Sequence, residues 1–159
     1  MYDRRYFSEI PSGLPGLYAL YDGHDGNKCV YVGKSDTGLR RRVLHHLVDR
    51  NSSVTTGVAG ASINIDNLTM VRWWTNEEFS DKIFLDASEA YFFDQLEPML
   101  RSRGKRIRGT DDLLNDSNFL NNVERIISNP SGKIELLSYG KLLLKVKELE
   151  SRISELEKN

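Results

Sequence analysis

Two tyrosines open the chemical reading of this chain. Tyr18 ends the triplet Gly16-Leu17-Tyr18, and Tyr31 begins Tyr31-Val32-Gly33 after twelve intervening residues. On adjacent strands of one hairpin, the two phenols would converge on one site. Gly33 permits a ligand to come close to the backbone, and Lys34 sets a cation beside it. Arg42 lies just downstream and His46 four residues further on, a spacing that puts both on one face of a helix about a turn apart. Glu89 supplies a carboxylate on a later helix. Bland readings stand next to these. Tyrosines in strands usually pack in a core. Asp86-Ala87-Ser88-Glu89 also spells a capping box, in which Glu89 would bond the start of its own helix. His46, next to His45, reads equally well as a solvated histidine.

The elements that must carry these residues are legible in the local pattern. The apolar run Gly16–Tyr21, the turn formers of 22–27 and Cys29-Val30-Tyr31-Val32 predict a β-hairpin. Leu39, Val43, Leu47 and Val48 recur at helical spacing after Asp36 and Thr37, either of which could cap the start. That stripe would be buried, with Arg42 and His46 pointing elsewhere. Residues 51–66, rich in Ser, Thr, Gly, Ala and Asn, predict a long loop. Asn67 to Asn76, with Met70, Val71, Trp73 and Trp74, reads as a third strand. A second helix is expected from about Ser80 to Leu96, capped by Asp86 if it starts late and ended by Pro98. A short amphipathic helix carries Phe119, Leu120, Val123, Ile126 and Ile127, and Asn129-Pro130-Ser131-Gly132 breaks it.

The last segment differs in kind. Tyr139, Val146 and Ile153 fall at the a positions of a heptad, and Leu142, Leu149 and Leu156 at d. β-branched residues at a with Leu at d favour parallel two-stranded coiled coils, and Lys145 and Arg152 at g could meet Glu150 and Glu157 at e of a partner. The expectation is a homodimer through residues 139–159. The competing reading is one more amphipathic helix packed on its own core, since fewer than three heptads are present.

Composition bounds the rest. The 159 residues suit one domain or a small domain with an appendage, and 39% apolar residues suffice for a core. A single cysteine, Cys29, excludes an internal disulfide framework and a multi-cysteine zinc site. There is no apolar run of membrane-spanning length and the start is polar, so a cytoplasmic protein without membrane contact is expected. The 22 Lys+Arg against 23 Asp+Glu give a net charge of -1, yet the charge is segregated. Residues 40–42 are three arginines, and Arg101, Arg103, Lys105, Arg106 and Arg108 form a basic segment without an acid. Basic stripes on a neutral chain are the footprint of phosphate contact, although charge runs are also commonly solvated faces.

Together, Gly16-Leu17-Tyr18, Tyr31-Val32-Gly33, Lys34, Arg42, His46 and Glu89, in that order, resemble the GIY-YIG endonuclease family over residues 14 to about 101. The resemblance implies an α+β fold with a small three-stranded antiparallel sheet flanked by helices, and a site on one sheet face. It implies a metal-dependent endonuclease that hydrolyses phosphodiester bonds in DNA, with one active site per chain and Mg²⁺ (or Mn²⁺) as cofactor. In that reading Glu89 binds the metal and Arg42 clamps the scissile phosphate. Tyr18 or Tyr31 orients or deprotonates the water, helped by Lys34, and His46 assists proton transfer or contacts phosphate. Lys34, Arg41 and the basic segment (Arg101, Arg103, Lys105, Arg106 and Arg108) are the candidate DNA contacts. Residues 1–109 would be the nuclease domain, 110–130 a helical extension and 131–159 the coiled-coil helix. The chain departs from the commoner pattern in its longer spacer, in one extra residue before Arg42, and at Arg101, where many members have Asn after the Pro. Two alternatives share the fold: a structure-selective repair or recombination nuclease working with a partner, and a catalytically silent DNA-binding protein.

Overall fold

The hairpin forms where the turn residues place it. In the computed structural model, which describes residues 2–22, 28–56, 63–100, 106–137 and 139–157, strand β1 (Gly16–Asp22) runs antiparallel to β2 (Lys28–Ser35). Most of the expected turn, 23–27, lies outside the described residues, as do 57–62 of the expected loop. β1 also pairs antiparallel with β3 (Leu68–Trp74), the expected third strand.

The sheet has four strands, not three, in the order β2-β1-β3-β4. The fourth, β4 (Gly132–Glu135), pairs antiparallel with β3 through Met70–Glu135 to Trp73–Gly132. Its four residues bury only Ile134, so no alternating pattern of useful length marks it. It begins at the last residue of the Asn-Pro-Ser-Gly breaker, which masked it in the sequence.

Both faces of the sheet are covered, so β1 is an almost unbroken apolar run rather than an alternating one. On one face Tyr18, Leu20, Tyr31, Val71 and Trp73 pack against Phe7, Ile10 and the apolar stripe Leu39, Val43 and Leu47 of helix α1 (Leu39–Leu47). On the other, Leu17, Ala19, Val32, Met70 and Trp74 meet Leu85 and Phe92 of helix α3 (Lys82–Leu96) and Phe119, Val123 and Ile126 of helix α5 (Ser117–Ile127). Between α1 and α5 lie two short helices, α2 (Ser53–Thr56) and α4 (Thr110–Leu114). The β1–β2 register shifts so that Leu20 faces Tyr31 while Tyr21 faces Cys29, a bulge at Val30. The extra residue reverses the alternation, which places Val30 and Tyr31 on the same side, with α1.

Helix starts differ from the expected ones. Gly38, not Asp36 or Thr37, precedes α1, and its N–H donates to Ser35 Oγ at 3.0 Å. Asp81 caps α3, accepting from the N–H groups of Ile83 (2.8 Å) and Phe84 (3.4 Å). Asp86 therefore lies inside the helix, and the capping-box reading of Glu89 is overturned. α3 ends at Leu96, with Glu97 in the left-handed region (φ 44°) just before Pro98.

Helix α6 (Tyr139–Leu156) follows the buried Leu136. Leu142, Val146, Leu149, Ile153 and Leu156 are between 46% and 76% exposed, an apolar stripe that the rest of the chain leaves open to solvent. Among the described residues no helix is long and apolar enough to cross a membrane.

Candidate active site

Tyr18 lies directly opposite Gly33 on the neighbouring strand, and this pairing explains the glycine. A Cβ at position 33 would stand 2.6 Å from the Tyr18 hydroxyl and 2.8 Å from the Tyr31 ring. The strand backbone thus makes room for both phenols, whose ring centroids are 5.9 Å apart. Tyr18 is fully buried and Tyr31 is 8% exposed. Burial raises the pKa of both. A hydrogen bond from Tyr18 and the nearby Arg42 guanidinium pull Tyr31 back down, and Arg42 does the same for Tyr18.

Arg42 projects from α1 toward the two phenols and acts on both. Desolvation there works against its charge, but the two tyrosines hold the pKa above the ordinary value. His46, one turn further on, does not point away from the core. It is fully buried, with Nε2 2.5 Å from the Tyr18 hydroxyl and Nδ1 2.6 Å from Ser52 Oγ. Burial, helped by the Arg42 and His45 charges, pushes its pKa down to about 3, so the imidazole is neutral. A buried ring cannot reach a phosphate from solution, and the solvated reading is likewise overturned.

Lys34 leaves β2 on the same side as Val32, toward α3. Its ammonium pairs with Asp86 and stands 2.8 Å from Glu89 Oε2. Asp86 is nearly buried and also accepts from the Ile107 N–H (3.0 Å) and Thr110 Oγ1 (2.7 Å). Burial opposes its charge, but these donors and Lys34 win and lower its pKa. Glu89 responds the other way: desolvation raises its pKa, Lys34 counters, and the Asp86 charge adds to the rise. Lys34 itself is held above its ordinary value by the two carboxylates despite desolvation. The site therefore sits at the edge strand β2. It draws its phenols from the α1 face and its Lys34–Glu89 pair from the α3 face, where the resemblance implied a single face.

Next to this cluster opens a cleft of about 350 Å³ lined by Lys34, Arg41, Arg42, His45, Lys82 and Ile107. Arg41 is exposed and donates to Thr37 Oγ1 at 3.2 Å. Lys82 lies 3.7 Å from Asp36. The Asp86 bond to the Ile107 N–H anchors one end of the basic segment at this rim, with Arg106 and Arg108 exposed on either side and Arg106 paired to Asp111. Arg101, Arg103 and Lys105 lie outside the described residues.

Among the described residues no three His, Cys, Asp or Glu converge as a metal cage. Glu89 is a partly exposed carboxylate that shares the Lys34 ammonium with Asp86, a donor set that fits a hard ion keeping most of its waters. Sequence reasoning missed three residues. Asp86 shares a face with Glu89 at a spacing of three, but its capping pattern hid it. Lys82 stood alone among acids. Ser52 sits in a polar stretch with no periodic signal. Comparison of the chain with protein-family models, curated proteins and solved structures finds no match.

Proposed function

We propose that the chain is a metal-dependent DNA endonuclease of the GIY-YIG type, with one active site per chain. The observation that supports this most is the meeting of Tyr18, Tyr31, Arg42, Lys34 and Glu89 at one strand edge, beside a cleft lined by cations. A protein that only bound DNA would need the cations but not two buried phenols beside a half-buried carboxylate.

The roles follow from the positions. Arg42, always charged and forked, would clamp the scissile phosphate and gain most as charge builds on the phosphoryl oxygens. A tyrosine would orient and deprotonate the attacking water; a phenol with an ordinary pKa of ~10 needs a cation nearby, and Arg42 already acts on both. Glu89 would hold Mg²⁺ (or Mn²⁺), which, when bound, neutralises charge on the phosphate and the leaving oxygen. Lys34 then keeps Asp86 as its partner when Glu89 is drawn to a second cation. Arg41, with Arg106 and Arg108, would take flanking phosphates and position the duplex.

The same reading extends to assembly. The exposed a/d stripe of α6 and the Lys145–Glu150 and Arg152–Glu157 pairing across a seam fit a second copy of the chain in a parallel coil. Two sites per particle would then cut both strands.

Digestion of supercoiled plasmid tests the proposal. Cutting that needs Mg²⁺, stops with EDTA, and is lost in both Arg42→Ala and Glu89→Ala supports it. Equal cutting by wild type and both variants would sink it. Nicked circles as the first product would indicate a one-strand cutter, and direct linear product a working dimer.

A further inference from the structure

We infer that Thr110 is a positioning residue for DNA: its hydroxyl, given to Asp86, latches the basic segment beside the cleft so that Arg106 and Arg108 meet phosphates flanking the site. The inference rests on the nuclease reading for its partner, a DNA backbone. The latch itself rests on the hydrogen bonds of one buried carboxylate.

Those bonds have only one direction. An ionised carboxylate accepts and never donates, and the donors around Asp86 hold its pKa below the ordinary value. Oδ1 takes the Lys34 ammonium. Oδ2 takes the Ile107 N–H at 3.0 Å and the Thr110 hydroxyl at 2.7 Å. Both side chains are buried: Asp86 is 4% exposed and Thr110 is fully enclosed. The two donors on Oδ2 come from the two ends of one turn, because the Thr110 N–H bonds the Ile107 carbonyl at 3.2 Å. Gly109, in the left-handed region at φ 96°, lets the chain make that turn into α4. A buried charge adds little net stability over apolar packing of similar volume. What Asp86 adds is direction: two donors on one oxygen fix where the turn lies.

The turn carries the cations. Arg108 lies inside it and Arg106 immediately before it, and both are exposed. Ile107 lines the cleft with Lys34, Arg41 and Lys82, so the arginines on either side of it stand at the rim. Arg106 is steadied by Asp111, the residue after Thr110 on α4. Asp86 is also linked to Glu89 through Lys34, whose ammonium is 2.8 Å from Glu89 Oε2. One side chain thereby sets the spacing between the carboxylate of the site and the cations beside it. A duplex seated on Arg106 and Arg108 would be held in register with Glu89, as phosphate contacts position a duplex without reading its sequence.

Two readouts test this, and the first does not involve DNA. In ¹⁵N-labelled full-length protein, the Ile107 amide should be protected from hydrogen exchange. Thr110→Val, which keeps the branched shape and removes the donor, should speed that exchange about tenfold or more, the equivalent of one hydrogen bond to a charged group. Thr110→Ser should restore protection. An Ile107 amide unprotected in the wild type, or unchanged in Thr110→Val, overturns the latch. The second readout is binding of a DNA duplex in EDTA across a salt series. The steepness of log affinity against log salt should fall by about 1–2 in Thr110→Val and in the double variant Arg106→Ala/Arg108→Ala. Combining all three changes should lower it no further. Thr110→Ser should keep the wild-type steepness. A wild-type value in Thr110→Val, whatever its stability, would mark Thr110 as merely structural and overturn the positioning role. So would a wild-type value in the double variant, whose two changes are both on the surface. A duplex bound by none of the proteins would refute the DNA reading and the phosphate role with it, while exchange at Ile107 would still decide the latch.

Discussion

Lys34 stands 2.8 Å from Glu89 while its ammonium is also paired with Asp86, one turn earlier on α3. The two carboxylates share the cation unequally. Asp86, 4% exposed at its side chain, has two further donors in Ile107 and Thr110, whereas Glu89 is 28% exposed and has its pKa raised by burial. Asp86 is thereby the structural partner, and Glu89 the one that, in the proposed role, would meet a metal ion. Substitutions at the two positions should consequently fail in different ways.

Glu89→Gln should leave the fold intact and lower Mg²⁺-dependent cleavage about a hundredfold or more. Asp86→Ala should instead reduce stability by about 3 kcal/mol, because it strands a buried hydroxyl, a backbone N–H and part of a lysine. Urea unfolding of both variants beside their cleavage rates separates the two. Equal loss of stability at both positions would contradict the division.

Arg42→Lys retains the charge and loses the planar fork. Cleavage should fall about a hundredfold, with affinity for a DNA duplex changed little, since uniform phosphate contacts remain. Single-turnover rates and a binding isotherm on the same duplex measure the two quantities. A variant as fast as wild type would remove Arg42 from the chemistry.

His46 should make stability depend on pH. Its pKa is about 3 in the folded chain and 6.5 when exposed, so the unfolded state binds more protons between these values. Stability from this residue is complete above about pH 6.5 and is lost progressively as pH falls toward 3, by several kcal/mol in all. His46→Gln should flatten that limb of the stability profile. A wild-type profile with no fall in this window would show that the imidazole is not held neutral by burial.

Gly33→Ala tests the closeness of the phenols to β2. The added methyl would meet the Tyr18 hydroxyl at 2.6 Å, and relieving it should cost about 1–3 kcal/mol and shift both rings. Near-ultraviolet circular dichroism of the tyrosines, with thermal unfolding, checks both effects. Unchanged values would mean that the strand yields without disturbing the rings.

The hairpin, β3, and the helices holding Arg42 and Glu89 were all legible, the strands as apolar runs bounded by turn formers and the helices as apolar residues at helical spacing. Strand β4 was not: four residues with one buried side chain leave no period to read. The site was legible as a set of residue types but not as an arrangement. His46 was expected on the same outward face as Arg42, either in the site or solvated beside His45, yet the ring turns inward to Tyr18. Asp86 looked like a cap because Asp81, the residue that does cap α3, lies five positions earlier. Ser52 enters through a contact between a polar loop and a helix, which no local pattern records.

The order β2-β1-β3-β4 puts Tyr31, Gly33 and Lys34 on one border of the sheet, while α6 departs just beyond the other. With strands about 4.8 Å apart, some 14 Å of sheet separate the two borders. The point at which α6 leaves the sheet is therefore separated from the cleft by the width of the sheet. The β2 border is the one that a DNA duplex would need to reach.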